Sequence, residues 1–311
     1  VRHIQMPAAG LSAPQVILGM MRIAERTDDE IRALVGAALE AGVNYVDHAD
    51  IYSPGLSVHE CERRFAQAMQ LSPAEREQLT IQTKVGIVKD GPRYDFSYEH
   101  IISSVEGSLR ALGTDYVDVL LLHRPDPLVE PEEVARAFNQ LHSAGKVRHF
   151  GVSNHTPAQM ELLHRNLDQP LTVNQVQLSL PHAAILTEGL LANTLGAAPH
   201  ISPDGAGVVE YCRMNGIALQ AWSPYQSPTG VFIGNPEYPE LNAVLESLAE
   251  THGVTPTGIA TAWITRHPAD IQVVLGTTQP ARVREAAEGA DIRLSRAEWF
   301  QLLRAAGHPV P

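Results

Sequence analysis

Four residues whose side chains hold and move protons stand where apolar runs of this chain give way to polar text. Val43, Tyr45 and Val46 are β-favoured, and the stretch Asn44-Tyr-Val-Asp47-His-Ala-Asp50-Ile-Tyr52 leads from them to Asp47 and, five positions later, to Tyr52. Two later runs end alike: Leu79-Thr-Ile-Gln-Thr-Lys84 in an ammonium, and Val117-Asp-Val-Leu-Leu-Leu-His123 in an imidazole. A carboxylate, a phenol, an ammonium and an imidazole gathered at one point could deliver a proton to a reacting oxygen and steady the charge that develops there. Each alone has an ordinary explanation. The aspartate could cap a turn with the tyrosine packed over it, the lysine could be a solvated charge, and the histidine could be satisfied locally. They make a site only if the fold brings the ends of successive strands together.

The rest of the chain supplies elements that could do so. Residues 1–15 are short, polar and proline-punctuated, and read as a hairpin plug under a barrel whose first strand is Val16-Ile17-Leu18-Gly19-Met20. Thr27-Asp-Asp-Glu30 is a capping box ahead of apolar positions 31, 34, 35, 38 and 39, the stripe of an amphipathic helix that stops at Gly42. The strand carrying Asp47 follows at once. Further strands are expected near 79–84, 117–122, 148–153, 171–177, 217–222 and 272–275. Helices are expected from about Ser97, over 131–144 to Gly145, after Thr156-Pro-Ala-Gln159, and near 238–252, 255–267, 280–289 and 295–306, the last opened by Ser295-Arg-Ala-Glu298. Residues 181–207 mix His, Pro and Gly with a modest helical pattern and are left open. Alternating strands and helices predict a parallel sheet, and eight strands make a (β/α)8 TIM barrel with extra C-terminal helices more fitting than an open sheet. Such barrels carry their active sites on the C-terminal face, where the four residues would lie. No stretch reads as a linker, so 1–311 is expected to be one domain.

Composition narrows the function classes. A net charge of −12 without long runs of like charge disfavours a nucleic-acid phosphate binder or an anionic membrane surface. Cys61 and Cys212 stand in unrelated contexts, which suggests neither a disulfide framework nor a structural zinc site and fits a reduced cytoplasm. No apolar run reaches membrane-spanning length, and the Arg2-His3 start lacks the apolar core of a secretory signal. A small homo-oligomer and a monomer are equally compatible with this composition.

Asp47, Tyr52, Lys84 and His123, in that order on successive strands, resemble the catalytic tetrad of the aldo-keto reductase family. The text Asp47-His-Ala-Asp-Ile-Tyr52, His123-Arg-Pro-Asp-Pro127 and Gly145-Lys-Val-Arg-His-Phe-Gly-Val-Ser-Asn154 is similar to the bacterial YdhF-like oxidoreductase branch, and the likeness covers nearly all of the chain. It implies reduction of an aldehyde or ketone by a nicotinamide, with Tyr52 giving the proton, Asp47 pairing with Lys84, and His123 donating to the substrate oxygen. A phenol of pKa about 10 needs help in that role. An ammonium about 4 Å away supplies on the order of 4 kcal/mol at an effective dielectric of ~20, roughly three pKa units before desolvation takes some back.

No Gly-x-Gly-x-x-Gly precedes a helix, so a Rossmann domain is not supported. A barrel can instead hold phosphates at the loops after its last two strands. The resemblance places Trp222 against the nicotinamide, Ser223 on the pyrophosphate, and Ser153, Asn154 and Gln175 on the carboxamide. It places Gly276, Thr277 and Arg282 around the adenosine 2′-phosphate and Glu285 on the adenine. A guanidinium fork suits a phosphate, so NADP(H) is the preferred cofactor, with NAD(H) admitted because Gly276 and Ala286 replace a lysine and an asparagine common in relatives.

The text departs from relatives elsewhere. Met20-Met21-Arg22 stands where many carry a tryptophan, Ser53–Val58 is longer than in the branch, and Tyr225–Gly230 replaces a glycine-richer phosphate loop. The carbonyl substrate is therefore not specified. Two rival readings are a cofactor-binding regulatory barrel with little turnover, and a metal-dependent hydrolase using Asp47, His48, Asp50 and His123. The second lacks the His-x-His expected at the first strand's end, and His48 and Asp50 read rather as loop-shaping groups, with no metal site.

Overall fold

The structure is a computed structural model that describes residues 1–191 and 207–310. The short β1 (His3–Met6) and β2 (Leu11–Pro14) pair antiparallel, and β3 (Val16–Gly19) opens the barrel. There follow α1 (Asp28–Glu40), β4 (Tyr45–Asp47), α2 (Glu60–Met69), α3 (Pro73–Gln78), β5 (Thr80–Val85) and a small hairpin of β6 (Ile87–Val88) and β7 (Arg93–Tyr94). Next come α4 (Tyr98–Leu112), β8 (Val117–Leu122), α5 (Pro131–Ser143), β9 (Val147–Ser153), α6 (Pro157–His164), β10 (Leu171–Gln177), α7 (Ala184–Leu191), α8 (Val208–Met214) and β11 (Ala218–Trp222). The chain closes with the hairpin β12 (Gln226–Ser227) and β13 (Gly230–Val231), then α9 (Pro239–His252), α10 (Pro256–Thr265), β14 (Gln272–Leu275), α11 (Pro280–Gly289) and α12 (Arg296–Ala305). The stretch left open in the sequence proves helical over its part in α7, and positions 192–206 lie outside the described residues.

Strands β3, β4, β5, β8, β9, β10, β11 and β14 form one closed parallel barrel in that order. Side chains alternate across each strand, so every second residue points to the axis. Ile17, Tyr45, Val119, Leu121, Val173, Ala218 and Val274 meet inside with Ile4, Met6 and Ala13 of the β1–β2 hairpin, which therefore plugs the lower end as expected. The opposite faces of the strands pack on the helices in a second, larger core. Thr27, Thr156 and Ser295 each cap their helix with the reciprocal bonds of a capping box.

Helices α2 and α3 were not apparent from the sequence pattern. On α2 the buried face is Cys61, Phe65 and Ala68 together with the fully buried Glu62, and its first residue follows His59 in a left-handed conformation with no side-chain cap. A carboxylate on the apolar side hides the stripe. Among the described residues, no helix is long and apolar enough to cross a membrane.

Candidate active site

Barrel register sets the first contact. Asp47 is the last residue of β4, and β5 runs beside it with Gln82 opposite Asp47. Lys84, two residues further along β5, points to the same side as Gln82. Its ammonium is 2.7 and 2.6 Å from the two oxygens of Asp47, 3.0 Å from the carbonyl of His48 and 3.2 Å from the hydroxyl oxygen of Tyr52. Lys84 is wholly buried and Asp47 nearly so. The three N–H donors of the ammonium are thus all spent. Since Tyr52 accepts from Lys84, its own O–H is left to point elsewhere. The Tyr52 ring meets His123 edge-on at 5.9 Å between centroids, and both side chains line one cavity of about 490 Å³.

The Asp47 carboxylate has further partners that the sequence did not disclose. Its Oδ1 also accepts from Gln82 Nε2 at 2.5 Å and Gln175 Nε2 at 3.1 Å. The other N–H of each amide goes to Gln220 Oε1, at 2.9 and 3.0 Å. Gln220 in turn donates to Gln272 Oε1 at 3.2 Å and to Tyr45 at 3.4 Å, Tyr45 donates to Gln82 Oε1 at 2.8 Å, and Gln272 reaches the carbonyl of Pro14 at 2.7 Å. A column of buried amides therefore links the plug to the mouth of the barrel. Flipping any one of them would set oxygen against oxygen or N–H against N–H, so the column fixes its own direction and presents Asp47 with donors only. The sequence did carry a signal: Gln82, Gln175, Gln220 and Gln272 each interrupt an otherwise strand-like run.

Burial and charge set the protonation states. Burial works against the Lys84 charge, but Asp47 and then Tyr52 outweigh it and raise its pKa. Burial raises the pKa of Tyr52, and Lys84 only partly offsets this. Lys84 does act in the expected direction, but burial outweighs it and Asp47 adds to the rise, so the net lowering expected from the sequence does not hold. Tyr52 is therefore a neutral phenol at ordinary pH. Burial first, then Lys84 and Arg124, push His123 well below its usual range, so it is a neutral imidazole.

His48 and Asp50 face away from this site. The His48 ring is fully buried edge-on against Phe65, 5.0 Å between centroids, and burial brings its pKa down to about 4. Burial, then the nearby Glu62, raise Asp50 to about 7. Glu62 accepts from Thr83 Oγ1 at 2.6 Å and lies 2.6 Å from His59 Nδ1. Among the described residues no three His, Cys, Asp or Glu side chains are arranged to hold a metal ion. The hydrolase set is thus split between the cavity and the packing behind it.

The remaining predicted residues converge on the cavity. Ser153, Asn154, Gln175, Trp222, Ser223, Gly276, Thr277 and Arg282 all line it; Glu285, on α11, does not. Asn154 and Ser223, just past β9 and β11, take left-handed backbones with φ of 60° and 52°. Non-glycine residues are held there only where surroundings impose it, commonly at functional sites. Asn154 Oδ1 accepts from Trp222 Nε1 at 2.9 Å, its Nδ2 donates to Ser153 Oγ at 2.8 Å, and Ser153 donates to the Gln175 carbonyl at 2.8 Å. The indole is thereby fixed in plane. Gly276 has a reason of its own: Arg22, from the loop after β3, bonds to its carbonyl, and a Cβ there would meet the guanidinium at 2.8 Å. Arg22 and Arg124, both lining the cavity, were not anticipated as site residues.

A closed parallel barrel with its polar groups gathered at the carboxyl mouth is the architecture of a (β/α)8 enzyme. The Aldo/keto reductase family model matches residues 15–305, so this chain belongs to that family and is an oxidoreductase. It is 34% identical to oxidoreductase YdhF of Escherichia coli, covering all of both chains, and 34% identical to the 6-dehydroglucose reductase of Agrobacterium fabrum, covering 94% of each. The solved thermostable aldo-keto reductase Tm1743 has the same fold, with a TM-score of 0.76 over 98% of this chain and 100% of that one at 24% identity.

Proposed function

We propose that this protein is a single-domain, NADP(H)-dependent reductase of aldehydes or ketones in which Tyr52 delivers the proton. The observation that carries the reading is the Lys84 ammonium, held by both oxygens of Asp47 while 3.2 Å from the hydroxyl oxygen of Tyr52 in a shared cavity with His123. A bound nicotinamide supplies hydride to the carbonyl carbon. Tyr52, neutral and with its own O–H unused by Lys84, gives its proton to the carbonyl oxygen, and Lys84 steadies the phenolate left behind. His123, also neutral, donates an N–H to the same oxygen as charge develops there. Trp222 offers a fixed apolar face, and Gln175, with both N–H donors spent on Asp47 and Gln220, presents Oε1 as an acceptor for a carboxamide N–H.

The cofactor preference follows from the far side of the mouth. Arg282 and Thr277 stand there with Arg22, which occupies the room that Gly276 leaves and supplies the cation that a side chain at 276 does not. A 2′-phosphate gains from a guanidinium fork, and NAD(H) has no phosphate at that place. The 6-dehydroglucose reductase relative acts on an oxidised sugar, which supports a small polar carbonyl compound as the substrate class.

The experiment is a titration of protein fluorescence with NADPH and with NADH, on the parent and on Arg282→Ala. NADPH is expected to bind at least tenfold tighter than NADH, with the gap closing in the variant. Equal affinities in the parent would remove the NADP preference, and no binding of either would remove the reductase reading.

A further inference from the structure

The charges around the cavity do not balance, and a bound nucleotide would account for only part of the excess. Three arginines line it, Arg22, Arg124 and Arg282, against a single carboxylate, Asp47, whose charge is already held by Lys84. That is unusual in a chain whose acidic residues outnumber its basic ones, 35 to 23. Two of the three stand with the end of β14 and its neighbour β3, where Arg22 bonds to Gly276 and Arg282 lies in the first turn of α11. The phosphates of a nucleotide account for those two.

Arg124 is elsewhere. It follows His123 off β8, which lies four strands from β14 in a ring of eight, directly across the mouth. Among the described residues it forms no ion pair, and its guanidinium has no hydrogen-bond partner. It lies over the indole of Trp222, 5.5 Å from the ring centroid. It is half-buried, so its charge is partly desolvated with no anion to answer it among the described residues. Five N–H donors in a planar fork, adjacent in sequence to the imidazole that faces the reacting oxygen, form a receptor for a carboxylate.

We propose that the carbonyl substrate of this enzyme is an oxo-acid, bound through its carboxylate by the Arg124 guanidinium while its carbonyl oxygen faces Tyr52 and His123. The assignment rests on the reductase reading above. In the reaction the carbonyl carbon gains hydride from NADPH, its oxygen gains a proton from Tyr52, and NADP⁺ leaves; the carboxylate is unchanged and serves only for binding. Trp222, fixed on one edge by Asn154, then serves to support the Arg124 guanidinium that lies over it. An anion at Arg124 also offsets the field that this guanidinium exerts on His123.

The test compares 4-carboxybenzaldehyde with methyl 4-formylbenzoate, nearly equal in shape and different in charge, as substrates with NADPH. For the parent, kcat/KM is expected to favour the carboxylate at least tenfold, mostly through KM. The ratio is expected to shrink as NaCl is raised from 50 to 500 mM, to fall within about twofold of one in Arg124→Met, and to recover partly in Arg124→Lys. Binding of 4-carboxybenzoate to the NADP⁺ complex, followed by Trp222 fluorescence, is expected to weaken in Arg124→Met to the same degree. Equal turnover of both aldehydes by the parent, or an unchanged ratio in Arg124→Met, would overturn the assignment and leave the reductase reading intact. A loss in Arg124→Met that is equal for both aldehydes and accompanied by weaker NADPH binding would make Arg124 only a prop for Trp222, and overturn it too. Turnover of neither aldehyde by the parent would remove the reductase reading together with this one.

Discussion

Removing the charges of Asp47 and Lys84 one at a time and together gives a measurable signature of a buried ion pair. The two groups are in contact at 2.6 Å and have almost no exposed surface. At an effective dielectric of ~20, unit charges about 3 Å apart attract by roughly 5 kcal/mol, which is comparable to the several kcal/mol per ion that desolvation takes back. The intact pair therefore contributes little net stability. Lys84→Met, however, leaves a buried carboxylate with only the amides of Gln82 and Gln175 to answer it. Asp47→Asn leaves a buried ammonium beside a neutral amide. Each single variant is expected to lose about 3–5 kcal/mol of unfolding free energy. The double variant keeps a neutral amide oxygen at position 47 that can still accept from Gln82 and Gln175, and it is expected to lose no more than either single one. The coupling energy from the four urea titrations is then at least about 3 kcal/mol. Additive losses, with the double variant as unstable as the two singles combined, would show that the groups are not an ionised pair and would refute the electrostatic account of Lys84.

Other outcomes follow from the same geometry. Gln220→Leu strips an acceptor from Gln82 and Gln175 and leaves buried N–H groups unpaired, at about 1–3 kcal/mol each. Its urea midpoint is expected to fall and kcat to drop with it, and an unchanged kcat would mean that the amide column does not position Asp47. Asp50 is raised from 3.8 to about 7, first by burial and then by Glu62. The native state therefore keeps this proton while the unfolded chain gives it up, so stability falls as pH rises from about 4 to about 7 and is level above. Asp50→Asn removes that dependence, and its stability relative to the parent is expected to gain about 2–3 kcal/mol between pH 5 and pH 8. Parallel stability curves for the two proteins would contradict the assignment.

Much of the site was legible because Asp47, Lys84 and His123 stand at or near the ends of β4, β5 and β8, and strand ends in a parallel barrel share one face. Capping boxes at Thr27, Thr156 and Ser295 marked helix starts for a related reason, since their geometry is local. What the sequence did not show depends on contacts between distant residues. Glu62 is paired with His59 and Thr83, which no helical periodicity registers, and so α2 stayed hidden. Arg22 reaches Gly276 across 254 positions, and Arg124 declares its lack of a partner only once the mouth is assembled. The acidity of Tyr52 was misjudged because the depth of its burial, which outweighs the help from Lys84, is set by the assembled barrel mouth, and Asp47 adds to the rise.

The decisive variant is Tyr52→Phe, measured for NADPH affinity by fluorescence and for kcat by NADPH oxidation with a carbonyl substrate that the parent turns over. The hydroxyl is in the cavity while the indole of Trp222 and the three arginines are untouched, so an NADPH Kd within about twofold of the parent is expected. Removing a general acid is expected to lower kcat by about 10²–10⁴. A variant that binds NADPH normally and keeps kcat within threefold of the parent would contradict the assignment of the proton to Tyr52.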